Sequence, residues 1–227
     1  MLVQIHFFIL QFMNLIDTYR HKGLRIRLIS ELRNKGITDE NVLQAISRVP
    51  RHLFLESSFV NFAYQDKAFP IAAGQTISQP YTVAFQTQTL AVSKGEKVLE
   101  VGTGSGYQAA VLLEMGVSLF SIERQQALFQ KSIPFLKSLG YRGRFFFGDG
   151  YLGLPDWAPF DKIIVTAGAP YVPEALLLQL NIGGVMVIPV GNDVQSMIKI
   201  VRLSDEDFEQ VNLGACAFVP MLEGVNK

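Results

Sequence analysis

Glu100, Gly102, Gly104, Gly106 and Glu123 are the residues whose types and spacing carry the clearest chemical signal in this chain of 227 residues. The first four fall in Val98-Leu99-Glu100-Val101-Gly102-Thr103-Gly104-Ser105-Gly106-Tyr107, a short apolar run followed by three alternate glycines. A second apolar stretch, residues 109–113, follows the turn, and the pattern reads strand, glycine turn, helix. Glycine lets the chain reverse sharply and lets bare backbone N–H groups approach a ligand. A helix starting at such a turn presents those donors to a nucleotide-like group. Glu123 ends the next apolar run, about 20 residues after the first glycine, the usual distance for an acid that accepts from ribose hydroxyls.

The neighbours of the turn bear on which ligand it takes. A dinucleotide fingerprint needs a third glycine at position 107, where this chain has Tyr107. Glu100 is expected at the mouth of the turn, where it would repel a pyrophosphate. S-adenosylmethionine carries a sulfonium, an ammonium and one carboxylate, so an acid there attracts it. Glu123 suits either adenosine ribose and does not choose between them. Two other enzyme classes fit less well. A serine hydrolase lacks its G-x-S-x-G elbow, and none of the three histidines (His6, His21, His52) follows a late strand. A nicotinamide-dependent dehydrogenase conflicts with Tyr107 and Glu100. A binding module of the same architecture without catalysis is a further alternative.

Elements that would position these residues follow from periodicity. A helix is expected over residues 21–35, with Leu24, Leu28, Ile29 and Leu32 on one face. A second begins after Thr38 as N-cap and stops at Pro50. Residues 51–80 show neither helical nor strand periodicity, and an irregular stretch of that length is usually functional. A helix over 81–90 leads into the glycine-turn strand. Further strands are expected at 144–147, 162–165, 185–188 (after a Gly183-Gly184 turn), 197–202 and 215–219, with helices at 126–139 and 173–180. Strands alternating with helices predict an α/β fold: a Rossmann-like, doubly wound, mostly parallel sheet with helices ahead of it and an antiparallel pair at its C-terminal edge. Residues 21–227 form one expected domain, with 21–90 the helical and loop region and 91–227 the core, and residues 1–20 an extension.

Composition narrows the partners. Twenty Lys+Arg balance twenty Asp+Glu without a basic cluster, which argues against a nucleic-acid backbone. A single cysteine, Cys216, excludes an internal disulfide and suits a reducing cytoplasm. No Cys/His spacing suggests a metal site. The apolar run within residues 1–13 is shorter than the roughly 20 residues of a membrane span and lacks a signal-peptide layout. It is expected to pack on the surface or fray. Neutral charge fits a monomer.

Four segments together give the chain a family likeness: Val49-Pro50-Arg51-His52-Leu53-Phe54, Gly74-Gln75-Thr76-Ile77-Ser78-Gln79-Pro80-Tyr81, the glycine loop, and residues 160–170. Ile188-Pro189-Val190-Gly191 and Phe218-Val219-Pro220-Met221 match as well. With them the chain resembles the bacterial protein-L-isoaspartate O-methyltransferases, and the segment from Gly74 to Tyr81 is the specific one. The resemblance implies an S-adenosylmethionine-dependent repair enzyme that methylates the α-carboxylate of L-isoaspartyl residues in damaged proteins. It further implies that Gln75, Thr76, Ile77 and Ser78 cover the cofactor, with Ser78 facing the substrate carboxylate. Glu100 would contact the methionine end or the turn around it, Gly102 and Gly104 line the turn, Glu123 binds ribose, and Asp149 and Gly150 flank adenine. Gln88 departs from the pattern, standing where an acid is expected in many relatives.

Overall fold

The structure, a computed structural model, describes residues 17–227. The apolar run of residues 1–13, and with it most of the expected extension, lies outside the described residues. Helix α1 (Tyr19–Asn34) and helix α2 (Glu40–Arg48) come first. Leu28, Ile29 and Leu32 of α1 and Val42, Leu43 and Ile46 of α2 are buried, as the i, i+3, i+4 spacing predicts. The N-cap of α2 is Asp39, not Thr38: its carboxylate accepts from the amides of Asn41 and Val42. The Thr38 and Asp39 amides go instead to Gln88 Oε1, at 2.7 and 2.8 Å. Gln88 therefore does with a carbonyl what an acid would do there, and it anchors one helix to another.

The irregular stretch contains three 3₁₀ turns and a two-stranded antiparallel pair, β1 (Phe69–Pro70) and β2 (Thr76–Ile77). Helix α3 (Pro80–Leu90) comes next. Its Tyr81 amide donates to Asp66 Oδ1 at 2.7 Å, and Lys35 pairs with Asp66 at 2.6 Å. Proline at the first helical position loses no intrahelical bond.

The core is a seven-stranded sheet in the order β5-β4-β3-β6-β7-β8-β9. Its strands are β3 (Lys97–Val101), β4 (Ser118–Glu123), β5 (Arg144–Phe147), β6 (Phe160–Val165), β7 (Leu180–Val190), β8 (Gln195–Arg202) and β9 (Phe208–Cys216). The first five in spatial order are parallel, and β8 and β9 are antiparallel. Helices α4 (Tyr107–Glu114), α5 (Gln126–Ser138) and α6 (Glu174–Leu178) make the crossovers. Parallel strands buried on both faces read as unbroken apolar runs. Accordingly Val98 joins one core cluster, with α1 to α4, while Leu99 and Val101 join a second on the opposite face.

Two strands begin well ahead of the expected positions, and the last one ends at Cys216, short of the expected 219. Gly183-Gly184 is no turn before β7; the pair lies inside that strand, where the register against β6 shifts between Phe160 and Lys162. The last strand starts at Phe208, seven residues before the expected 215, because β8 supplies a long pairing partner that an exposed, polar sequence does not announce. Among the described residues, no helix is long and apolar enough to cross a membrane.

Candidate active site

The order of the sheet reverses at β3, whose neighbours β4 and β6 lie on either side. Ligands of open parallel sheets bind beyond the carboxyl ends of the strands at such a point. A cleft lies there. Its floor is the turn after β3. Gly102, Gly104 and Gly106 all have positive φ, and a Cβ on Gly102 would sit 2.5 Å from Thr166 Oγ1. No other residue type fits that position without a shift.

Glu123 closes one end. Its Oε2 accepts from the Gly104 amide and its Oε1 from the Gln125 amide, both at 2.8 Å. Burial raises its pKa, opposed by these backbone donors and by the Arg124 amide. Each carboxylate oxygen retains a second lone pair, so the side chain that braces the turn can also accept from two vicinal hydroxyls. Gly150 lines the same end, where a Cβ would meet Val101 Cγ1 at 2.6 Å. Asp149 does not line the cleft: its carboxylate accepts from the amides of Tyr151 and Gly224, at 2.9 and 2.7 Å, and ties the C-terminal segment to the loop.

The roof is the β1–β2 hairpin together with Ser78 beyond it. Gln75, Thr76, Ile77 and Ser78 all line the cleft. Ile77 is buried, whereas Ser78 is half-buried between β2 and the N-terminus of α3. Among the described residues, no hydrogen bond engages the Ser78 hydroxyl.

Glu100 is where the geometry departs from expectation. It lies beneath the turn, not at its mouth, fully buried, on the face of β3 covered by α3 and α4, and it does not line the cleft. Strand alternation decides this, since Val101 takes the opposite face. Its Oε2 lies 2.5 Å from Ser121 Oγ, within hydrogen-bond distance, and burial pushes its pKa up to about 8. The repulsion of a pyrophosphate by an acid at the mouth is therefore not this residue's contribution. Tyr107 is buried as the first residue of α4, its ring below the Arg51 guanidinium at 4.6 Å.

Sequence reasoning missed several walls of the cleft: Thr103, Ser105, Gln108, Thr166 and residues 219–222. Thr103, Ser105, Thr166 and residues 219–221 lie in segments that carry the family likeness, which is the signal that points to them. The C-terminal group is held over the cleft by Gln195, whose side chain bonds both the amide and the carbonyl of Phe218. Backbone bonds from Gly168 to Val219 and from Met221 to Gly168, each 2.8 Å, complete the attachment. No sequence spacing announced Asp17, His21 and His52, yet the fold brings their ligand-type atoms within 4.8 Å of one another. Arg25 holds both oxygens of Asp17, and Tyr64 lies 2.7 Å from His52 Nδ1, so hydrogen bonding occupies that cluster.

Comparison with known proteins agrees with this geometry. The family model described as Protein-L-isoaspartate(D-aspartate) O-methyltransferase (PCMT) matches residues 24–226. A protein-L-isoaspartate O-methyltransferase of Christiangramia forsetii is 61% identical over 211 residues, covering 92% of this chain and 99% of its own. That of Flavobacterium psychrophilum is 59% identical over the same shares. A solved protein-L-isoaspartate O-methyltransferase superposes with a TM-score of 0.79 at 28% identity, covering 86% of this chain and 65% of its own. A Plasmodium falciparum structure in complex with S-adenosyl-L-homocysteine shares the fold, with a TM-score of 0.75 at 24% identity over 89% of this chain and 98% of its own. On sequence and fold alike, the chain belongs to the protein-L-isoaspartate (D-aspartate) O-methyltransferase family.

Proposed function

We propose that this protein transfers a methyl group from S-adenosylmethionine to the α-carboxylate of L-isoaspartyl residues in damaged proteins, with Ser78 orienting the acceptor. The observation that carries the reading is a serine hydroxyl unengaged among the described residues, held across one cleft from a glycine turn braced by an acid.

The residues present fit the cofactor. The Glu123 lone pairs suit ribose hydroxyls, Gly102 and Gly104 admit a ligand against the backbone, and Gly150 leaves room for a flat ring. When bound, S-adenosylmethionine supplies an electrophilic methyl on a sulfonium. Ser78 then donates to one oxygen of the isoaspartyl carboxylate and aims the other at that methyl. No general base is required, because a carboxylate is ionised near pH 7. Gln75, Thr76 and Ile77 cover the reacting groups and exclude water, which strengthens the attraction between opposite charges. In-line placement is the chain's main contribution. The released ester cyclises without the enzyme as a backbone amide nitrogen displaces methanol, and water reopens the resulting succinimide partly to normal aspartate. Asp149 acts indirectly, by shaping the loop that presents Gly150. The same reading has residues 21–227 acting as one unit, in the cytoplasm, as a monomer.

The test is transfer of labelled methyl to a peptide containing L-isoaspartate, with the L-aspartyl peptide as control. Labelling of the first and not the second is expected. Equal labelling of both, or of neither while the cofactor binds, would overturn the substrate assignment.

A further inference from the structure

Glu100, Ser121 and Thr103 form a file from the interior to the cleft. Ser121 Oγ lies 2.5 Å from Glu100 Oε2 and 2.6 Å from Thr103 Oγ1. Thr103 stands in the cleft wall, and Glu100 Oε1 is buried without a partner. Each hydroxyl has one proton to give, and an ionised carboxylate only accepts. An ionised Glu100 therefore draws the Ser121 proton inward. Ser121 in turn accepts from Thr103, which leaves Thr103 with lone pairs toward the cleft. A protonated Glu100 donates to Ser121, reverses the file and lets Thr103 turn its proton outward. The charge state of one buried acid thus sets what the cleft wall offers.

The surroundings bias that acid toward neutrality. From β4 it faces the Glu123 carboxyl, which raises its pKa further after burial. Helix α3 has no charged residue, and the one acid of α4, Glu114, stands at its far end. On β6 its register partner is Ile164; Lys162 lies two residues back on that strand, 4.0 Å from Glu96.

We propose that the Glu100–Ser121–Thr103 file senses the cationic cofactor: Glu100 is neutral in the empty cleft and gives its proton to the solvent when the sulfonium form binds. The inference rests on the cofactor reading above. Binding converts a carboxylic acid plus a cationic ligand into a carboxylate–cation pair and one free proton, so charge balances. Once the methyl is transferred the sulfonium becomes a neutral thioether, and the acid takes a proton back. By linkage, affinity for S-adenosylmethionine rises with pH while the empty site is still protonated, by up to about tenfold per unit. Affinity for S-adenosylhomocysteine rises less.

Calorimetry near pH 7, in phosphate and in Tris, counts the protons released by each ligand. Glu100→Gln keeps the hydrogen bond to Ser121 and cannot titrate, so it also cancels the ligand's own amine titration. Wild type is expected to release more protons than Glu100→Gln with S-adenosylmethionine, the difference approaching one, and a smaller difference with S-adenosylhomocysteine. Should the variant not fold, infrared difference spectra of wild type should lose a protonated-carboxyl band on addition of S-adenosylmethionine. Equal proton release by both proteins, or no loss of that band, would overturn the file as sensor. Failure of wild type to bind S-adenosylmethionine at all would overturn the cofactor reading along with it.

Discussion

The floor of the cleft is a strand–turn–helix unit of the parallel sheet, whereas its roof is a segment outside that sheet, steadied by side chains from the N-terminal helices and the irregular stretch after them. Gly104 and Glu123, joined through a backbone amide, are 19 residues apart. The segment bearing Ser78 is steadied by Asp66 on the Tyr81 amide and Lys35 on Asp66, and its helix by Gln88 on the start of α2. Those pairs are 15, 31, 50 and 49 residues apart. The floor is a parallel-sheet device that recurs wherever a nucleotide-like ligand meets a glycine turn. The roof carries the segment from Gly74 to Tyr81, the most specific part of the family likeness. If that division is right, changes to the floor alter cofactor affinity and stability, whereas changes to the roof alter turnover.

The largest effect is expected from Gly102→Ala. Its φ of +99 is costly for any other residue, by about 1–3 kcal/mol, and the added Cβ also meets Thr166 Oγ1 at 2.5 Å. Thermal unfolding should move down and calorimetric affinity for S-adenosylmethionine should fall with it. Wild-type values for both would show that the floor tolerates a side chain.

Ser78→Ala tests the roof. Loss of one charge-assisted hydrogen bond, about 1.5–3 kcal/mol, should lower kcat by roughly 10- to 100-fold. Cofactor affinity should hold, since the proposed reading assigns it to the turn and Glu123. A kcat equal to wild type would make the hydroxyl structural. Glu123→Gln is the converse on the floor. It should weaken cofactor binding by about 1–3 kcal/mol and leave kcat at saturation nearly unchanged. A kcat defect without an affinity defect would blur the division between the two regions.

Glu100 gives the floor a pH signature. Its folded pKa, near 8, lies above the ordinary carboxylate value of 4.5. The stability this contributes is complete below about 4.5 and is lost as pH rises through about 8. Ligand-free Glu100→Gln should therefore match wild type in melting temperature near pH 5 and exceed it near pH 8. A gap independent of pH would mean that the acid does not titrate in that window.

The smallest effect belongs to Gln88→Glu. A carboxylate facing two amides at the start of α2 should stabilise by about 0.3–1 kcal/mol, read as a small rise in melting temperature with unchanged kcat. A change in peptide preference would place Gln88 in the substrate's path instead.

Residues 98–123 disclosed the floor without any structure, because strand, turn and helix are local and each leaves a periodic or glycine signature. The mostly parallel sheet and its antiparallel edge were legible for the same reason. The start of β9 was not: residues 208–214 are mostly exposed and polar, and only pairing with β8 makes them a strand. The Gly183-Gly184 pair likewise reads as a turn until β6 lies beside it.

By its sequence alone the chain determined which residues can bend, bury or bear charge: three glycines at alternate positions, acids at two strand ends, a serine in an irregular stretch. Tertiary structure alone decided which acid meets the cleft. Glu100 and Glu123 look alike as strand-end carboxylates, yet one faces inward and is held by Ser121, while the other turns to the backbone of the glycine turn. A strand's alternation is visible in a sequence, but which face is covered depends on helices contributed from elsewhere in the chain. Burial raises the pKa of both, and what separates them is the partners: backbone amides of Gly104 and Gln125 oppose the shift at Glu123, whereas Glu100 has only Ser121.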